Sequence, residues 1–201
     1  MVVGSKYQNF LQSMNAQNYT NFKVYYVDDS SPDNTTLRVY AEISDTYPRL
    51  RDKFILLRNN KNLGAFSNKD SAIKENCAAD SIVIDIDSDD GLIGNQVFNC
   101  INRAYEMGNK PWVVYSNFLI SKYGNKYQKG FSTKLDISYS DYRRSGISYR
   151  TSHLKTYLAK LEWKIPLEYL TVPNKDSEGR SYTRYASDAT MMYNLLELAG
   201  D

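Results

Sequence analysis

The apolar positions change rhythm repeatedly along the first half of the chain. Tyr7, Phe10, Leu11 and Met14 recur at helical spacing, and Asn21-Phe22-Lys23-Val24-Tyr25-Tyr26-Val27 then reads as a buried strand. Asp28 to Asn34 is a polar turn containing Pro32. The spacing predicts a second helix with Leu37, Tyr40, Ala41 and Ser44 on one face, ending near Pro48. Phe54-Ile55-Leu56-Leu57 follows as a strand and Asn59 to Gly64 as a loop. Lys69 to Cys77 reads as a helix with Ala72, Ile73, Asn76 and Cys77 on one side. Ser81-Ile82-Val83-Ile84 is another apolar strand, and beyond an acidic turn a helix forms around Val97, Ile101 and Ala104. This alternation predicts an α/β fold, a mostly parallel central sheet flanked by helices. Ligands of such sheets bind at the carboxyl ends of the strands. Both acidic turns, Asp28-Asp29 and Asp85 to Asp90, fall there.

The second half changes character. Trp112 to Ile120 reads as a strand, and Gly124-Asn125 as the turn of a hairpin. Lys129 to Arg150 is rich in tyrosine, serine and charge and shows no assignable period. His153 to Trp163 reads as a helix stopped before Pro166. Ser187 or Asp188 begins a last helix with Met191, Leu195 and Leu196 on its apolar face and Gly200 as its end signal. No internal repeat or low-complexity linker interrupts the chain. The expectation is one domain with two unlike halves, residues 1–115 and a smaller mixed region, residues 116–201.

Composition narrows the classes. With 201 residues and 42% hydrophobic content, a core of ordinary size can form, which argues against wholesale disorder. Lysine plus arginine total 25 against 23 acidic residues, a net charge of +2, which argues against a nucleic-acid binder driven by phosphate contacts. No apolar run approaches the ~20 residues that span a bilayer. No signal peptide is apparent, since Met1-Val2-Val3 passes straight into Gly4-Ser5-Lys6. No membrane span and a cytoplasmic location are therefore expected. Cys77 and Cys100 sit in apolar helical patterns and read as buried free thiols of a reducing compartment. The 18 tyrosines suit sugar or base contacts, and equally a strand-rich core.

The turn Asp85-Ile86-Asp87-Ser88-Asp89-Asp90-Gly91 follows an apolar run. Its closely spaced carboxylates can converge on a hard divalent cation, Mg²⁺ or Mn²⁺, and would repel one another without it. A calcium loop wants Gly at position six and Glu at twelve; counted from Asp85 those places hold Asp90 and Gln96, which excludes it. An aspartate-nucleophile phosphatase, a metal site holding a nucleotide diphosphate, and a plain capping turn before the next helix remain open. The turn Asp28-Asp29-Ser30-Ser31-Pro32-Asp33-Asn34-Thr35 would by itself be a turn and helix cap.

The two turns together, about 60 residues apart in a βαβαβ frame, carry more. With Leu11 to Tyr19, Asn62-Leu63-Gly64, Lys69-Asp70, Ile86-Asp87-Ser88-Asp89-Asp90 and the late Ser187-Asp188, the chain resembles the family 2 glycosyltransferases of GT-A (Rossmann-like) fold. These elements cover most of residues 8–92 in order and spacing. The resemblance implies a metal-dependent transfer of one sugar from a nucleotide-diphosphate sugar, UDP-sugar favoured, to a hydroxyl of a glycan or glycoprotein acceptor. Asp29, with Asp28, takes the place of the carboxylate that reads base and ribose. Lys69 stands near the base or diphosphate, although a solvated helix lysine has the same look. Asp87 matches the ribose contact, Ser88 lies within the same Asp-x-Asp donor motif, and Asp89 matches the metal ligand, with Asp87 and Asp90 as further candidates. The cation implied is Mn²⁺ or Mg²⁺.

Asp188 resembles the general base that deprotonates the acceptor, its plain alternative being a helix cap. A single base with direct displacement predicts inversion at the anomeric carbon. His153, the one histidine, is a packed or surface residue or else a diphosphate or metal contact in the half that closes over the donor. Arg143, Arg144 and Arg150 form a basic group open to an anionic acceptor or simply to solvent. Two departures stand out. The family opens on a full apolar strand, whereas only Met1-Val2-Val3 precede the first helix, so that strand is very short or the chain is a fragment of a longer protein. A Gln-x-x-Arg-Trp motif, found in processive members, is absent, which favours single-sugar transfer. The alternative from another class is a non-catalytic module that binds nucleotide sugars or glycans on the same fold.

Overall fold

Tyr7, Phe10, Leu11 and Met14 are all buried, the stripe that helical spacing calls for, and they form the inward face of α1 (Gln8–Asn15). The computed structural model describes residues 7–122, 126–132, 153–174, 178–183 and 186–200. After α1 come β1 (Val24–Asp28), α2 (Thr35–Asp45), a 3-10 turn at Pro48–Leu50, β2 (Phe54–Arg58), α3 (Ala65–Asn76) and β3 (Ile82–Asp85). Next follow α4 (Val97–Glu106), β4 (Val113–Tyr115), β5 (Phe118–Lys122) and β6 (Lys126–Gly130). The chain finishes with β7 (Lys155–Leu158), α5 (Ala159–Trp163), α6 (Leu167–Leu170), β8 (Thr171–Pro173), β9 (Arg180–Tyr182) and α7 (Ser187–Gly200). Among the described residues no helix is long and apolar enough to cross a membrane.

The chain forms two compact units. One takes the chain up to Gly64 together with Ile86–Lys110; the other takes Ala65–Asp85 and the chain from Pro111 onward. In the first unit β1 and β2 pair in parallel, Val24 opposite Phe54 through Asp28 opposite Arg58. Its core gathers α1 with Tyr26, Val39, Ile43, Leu50 and Phe98, and Phe10 meets the Tyr26 and Phe54 rings at 6.3 and 6.2 Å. Helix α2 forms where its spacing predicts, but on the other face. Val39 and Ile43 turn inward, while Leu37 and Tyr40 are exposed. Both faces carry apolar residues, so the pattern alone gives no preference between them.

In the second unit β7 lies between β3 and β4 and runs antiparallel to both. A mostly parallel central sheet is thus not what the described strands form: β1 with β2 is the one parallel pair, and the other described pairings are antiparallel. The cause is the segment expected as a helix from His153 to Trp163. Leu154, Tyr157, Leu158 and Leu161 have helical spacing, yet Lys155, Thr156 and Tyr157 are buried in succession, as a central strand requires. The helix begins only at Ala159. Trp112 to Ile120 likewise divides, at Ser116-Asn117, into β4 and β5. Strands β5 and β6 pair antiparallel with Lys122 opposite Lys126; the Gly124-Asn125 turn lies outside the described residues, as do Arg143, Arg144 and Arg150.

Phe66, Ile73, Tyr157, Ala159, Leu161, Ile165, Leu170, Met191, Met192 and Leu195 form the core of this unit. Helix α7 contributes Met191 and Leu195 as its sequence indicates. Helix α3 starts four residues before the predicted Lys69 and turns Phe66, Ser67, Asp70 and Ile73 inward, leaving Asn76 exposed. A carboxylate can face inward there because Tyr182 donates to Asp70 at 2.6 Å and Lys74 pairs with it at 2.7 Å. Both cysteines are free thiols; Cys77 is half-buried, but Cys100 is exposed on α4, contrary to the expectation of burial.

Glu162 is fully buried in this core, with Tyr157 donating to its Oε2 at 2.8 Å and its Oε1 without a hydrogen-bond partner among the described residues. Burial, opposed by the Tyr157 bond and reinforced by the charge of Asp70, raises its pKa from 4.5 to about 8. The folded protein therefore holds a proton that the unfolded chain has released between those values. Stability due to this group is full below 4.5 and is lost as pH rises toward 8. Melting followed by circular dichroism should show Glu162→Gln gaining several degrees on the wild type between about pH 5 and about pH 9. A difference in Tm that stays constant across that range contradicts the assignment.

Candidate functional site

In the first unit the acidic turn after β1 is fixed by its own carboxylates. The side chain of Asp28 has no solvent exposure; it accepts from the Ser31 amide at 2.8 Å and from the Thr36 hydroxyl, and pairs with Arg58 at 3.7 Å. Burial opposes ionisation of Asp28, but the bonds from Ser31 and Thr36 and the charge of Arg58 outweigh it and hold the carboxyl below its usual value. Asp28 thus fastens the turn to the first residues of α2. Ser30 and Asn34 adopt left-handed φ angles of 66° and 57°, unusual for residues other than glycine.

Asp29 reaches the other way. Its Oδ1 accepts from the Asn59 side chain at 2.7 Å and the Leu63 amide at 2.8 Å, and its Oδ2 accepts from the Gly64 amide at 2.8 Å. Gly64 has a φ of 91°, which a side chain would strain. The two sequence signals Asp28-Asp29 and Asn62-Leu63-Gly64 are therefore one structure, a carboxylate clasped by a loop.

The second acidic turn belongs to the same unit from Ile86 onward. Asp87, Ser88, Asp89 and Asp90 are all exposed, the Asp90 amide donates to the Asp87 carbonyl at 3.0 Å, and Ser88 hydrogen-bonds the Tyr26 hydroxyl. Gln17, buried at the end of α1, anchors the chain between this turn and α4: its amide donates to the Gly94 carbonyl at 2.8 Å, and its Oε1 accepts from the Phe98 amide at 3.3 Å. It thus satisfies a free donor in the first turn of α4. Among the described residues no three His, Cys, Asp or Glu side chains gather to hold a metal. The exposed carboxylates fit a cation held by one or two protein oxygens and a substrate's phosphates, not a protein cage.

In the second unit four charges meet. Lys155 stands directly opposite Asp85 in the β3–β7 register and pairs with it at 3.3 Å. Lys69, from α3, reaches Asp85 at 2.9 Å and Asp188 at 3.4 Å; Lys155 reaches Asp188 at 3.2 Å. Side-chain exposure grades outward through the cluster, 3% for Lys155, 7% for Asp85, 21% for Lys69 and 40% for Asp188. Two lysines balance two aspartates. Partial burial opposes ionisation of Asp188, yet the charges of Lys69 and Lys155 outweigh it and hold the carboxyl below its usual value. Its place in the first turn of α7 adds the favourable end of the helix dipole.

His153 sits just before β7, its ring edge-on to Phe118 at 5.3 Å, and its carbonyl accepts from the Ser116 hydroxyl at 3.3 Å. The family resemblance implies a place for Lys69 near the base or diphosphate; in the structure its ammonium pairs with Asp85 and Asp188. Lys155 and Gln17 went unseen in the sequence. Lys155 looks like the polar side of a helix until β7 is recognised as a strand, and Gln17 is one polar residue among several after α1. A family model described as Glycosyl transferase family 2 matches residues 7–165. No curated protein matches the chain.

The clasp around Asp29 has a measurable strength. Asp29→Ala leaves three donors to find water and should lower stability by about 1–3 kcal/mol in urea unfolding. A loss within ~0.3 kcal/mol of wild type would mean the bonds to the 59–64 loop contribute nothing.

Proposed function

Because the chain belongs to glycosyl transferase family 2 and is a glycosyltransferase with a nucleotide-sugar donor and an acceptor, we propose that it moves one sugar, with inversion, from a UDP-sugar to a hydroxyl of a glycan or glycoprotein. The observation that supports this reading is the state of Asp188, an ionised carboxylate at the solvent end of a buried charge cluster. Such a group is charged at neutral pH and accessible, the two properties a general base needs. A carboxylate held acidic is a modest base. The proton therefore moves as the acceptor oxygen bonds to the anomeric carbon, when that oxygen has become far more acidic.

In the first unit, Asp29 is assigned to base and ribose, its carboxylate already oriented by Asn59, Leu63 and Gly64. Asp28 supports it from beneath by fixing the turn. Asp87 and Ser88 are assigned to the ribose side of the donor, and His153 to its diphosphate. Mn²⁺ or Mg²⁺, held by Asp89 with Asp87 or Asp90 and the donor's phosphates, would neutralise charge on the leaving diphosphate.

The test is release of nucleoside diphosphate from a panel of UDP- and GDP-sugars with Mn²⁺. Asp188→Asn should lower kcat by roughly 10²–10⁴-fold while donor affinity stays within ~2-fold. Near-normal turnover by Asp188→Asn would remove Asp188 from the role of base. Tight donor binding by the wild type without turnover of any donor would make the chain a binding module instead.

A further inference from the structure

We propose that Lys155 and Asp85 are positioning residues for this base, and that together with Lys69 they form a cation that appears only when Asp188 accepts a proton. The inference rests on the reading of Asp188 as the base. Lys155 is almost wholly buried, and an ammonium without solvent is tolerated only beside carboxylates. A hydrophobic residue at the same point of a central strand would be the easier solution, since buried ion pairs are frequently no more stabilising than apolar residues of equal volume. The charges are therefore better explained by what they do to Asp188 than by the fold.

The geometry says what that is. Asp85 touches both lysines, at 2.9 Å to Lys69 and 3.3 Å to Lys155, and so fixes their ammonium groups in place. Each lysine in turn meets Asp188 at the same oxygen, Oδ1, at 3.4 and 3.2 Å. Among the described residues the charged groups facing Asp188 are these two, Lys69 from α3 and Lys155 from β7, with Asp85 at the end of β3 behind them. At rest the four charges sum to zero. Lys155 exposes 3% of its side chain and Lys69 21%.

The proton changes the sum. As the acceptor O–H bond breaks, its proton passes to Asp188 and its oxygen bonds to the anomeric carbon. The bond from that carbon to the diphosphate breaks with its electron pair leaving on the diphosphate. The leaving nucleotide thus gains one negative charge in the same step in which the cluster goes from zero to one positive charge. Lys69 and Lys155 then keep Asp85 as the ionised carboxylate between them. The positive charge of the cluster is thus absent before the proton moves and present once it has.

The experiment follows the carboxyl carbon of Asp188 by NMR titration in the donor-free full chain, with Asp188→Asn for assignment. Lys155→Met should weaken the Asp188 acid by ~10-fold or more in its ionisation constant, and Lys155→Arg should restore it. The acid limb of kcat should shift with the titration, while KM for the donor stays within ~2-fold. Because Lys155→Met leaves Asp85 short of a partner, the double variant Asp85→Asn/Lys155→Met, which removes one charge of each sign, is measured beside it with circular dichroism to establish folding. It should show a weakening in the same direction, smaller because the repulsion from Asp85 is removed together with the attraction of Lys155. An ionisation constant within ~2-fold of wild type in the folded double variant overturns the proposal, as does a limb of kcat that ignores a shifted titration. Turnover retained by Asp188→Asn overturns the base reading and this proposal together. Turnover lost there, with an unmoved titration in the Lys155 variants, overturns this proposal alone.

Discussion

A lysine ammonium buried in the middle of a sheet obliges the residues around it to be what they are. Lys155 keeps 3% of its side-chain surface in the strand between β3 and β4, so carboxylates must come to it. One arrives from the neighbouring strand, since the antiparallel register sets Asp85 directly opposite. The other arrives on the first turn of α7, where the helix end already favours an acid. With two carboxylates near one ammonium a second cation is needed, and Lys69 of α3 provides it. Strand order, the start of the last helix and the phase of α3 are all tied to that one charge.

The same constraint separates two kinds of acidic residue. Asp85, Asp28 and Asp70 are buried and each has cationic or hydroxyl partners, so their charge is already balanced. Asp87, Asp89 and Asp90 are exposed in a short turn. Asp188 stands between the classes, paired from behind and open in front. Glu162 belongs to neither class: with no cation bonded to it among the described residues, the core keeps it neutral over most of the physiological range.

Periodicity revealed most of the elements and both acidic turns, and the combination of those turns carried the family. It was less informative about faces. Helix α2 has apolar residues on two sides, and Leu37 and Tyr40 looked as suited to the core as Val39 and Ile43. Helix α3 buries Asp70, which hydrophobic patterning places outside by default, because the partners that make burial tolerable lie four and 112 residues away. Lys155 is the same case in stronger form. A lysine between leucine and threonine carries no sign of burial until the strand and its neighbours are known. The Asp29 clasp was half legible: both ends stood out in the sequence, but their union depends on a left-handed glycine that only the backbone reveals.

One base acting by direct displacement fixes the stereochemistry of what is made, so the anomeric configuration of the first product tests the account most directly. Proton NMR of the sugar transferred from an α-linked donor, recorded before mutarotation and with water as the acceptor where no better one is known, should show the β anomer. An α product would mean two displacements or none through Asp188, and would contradict it.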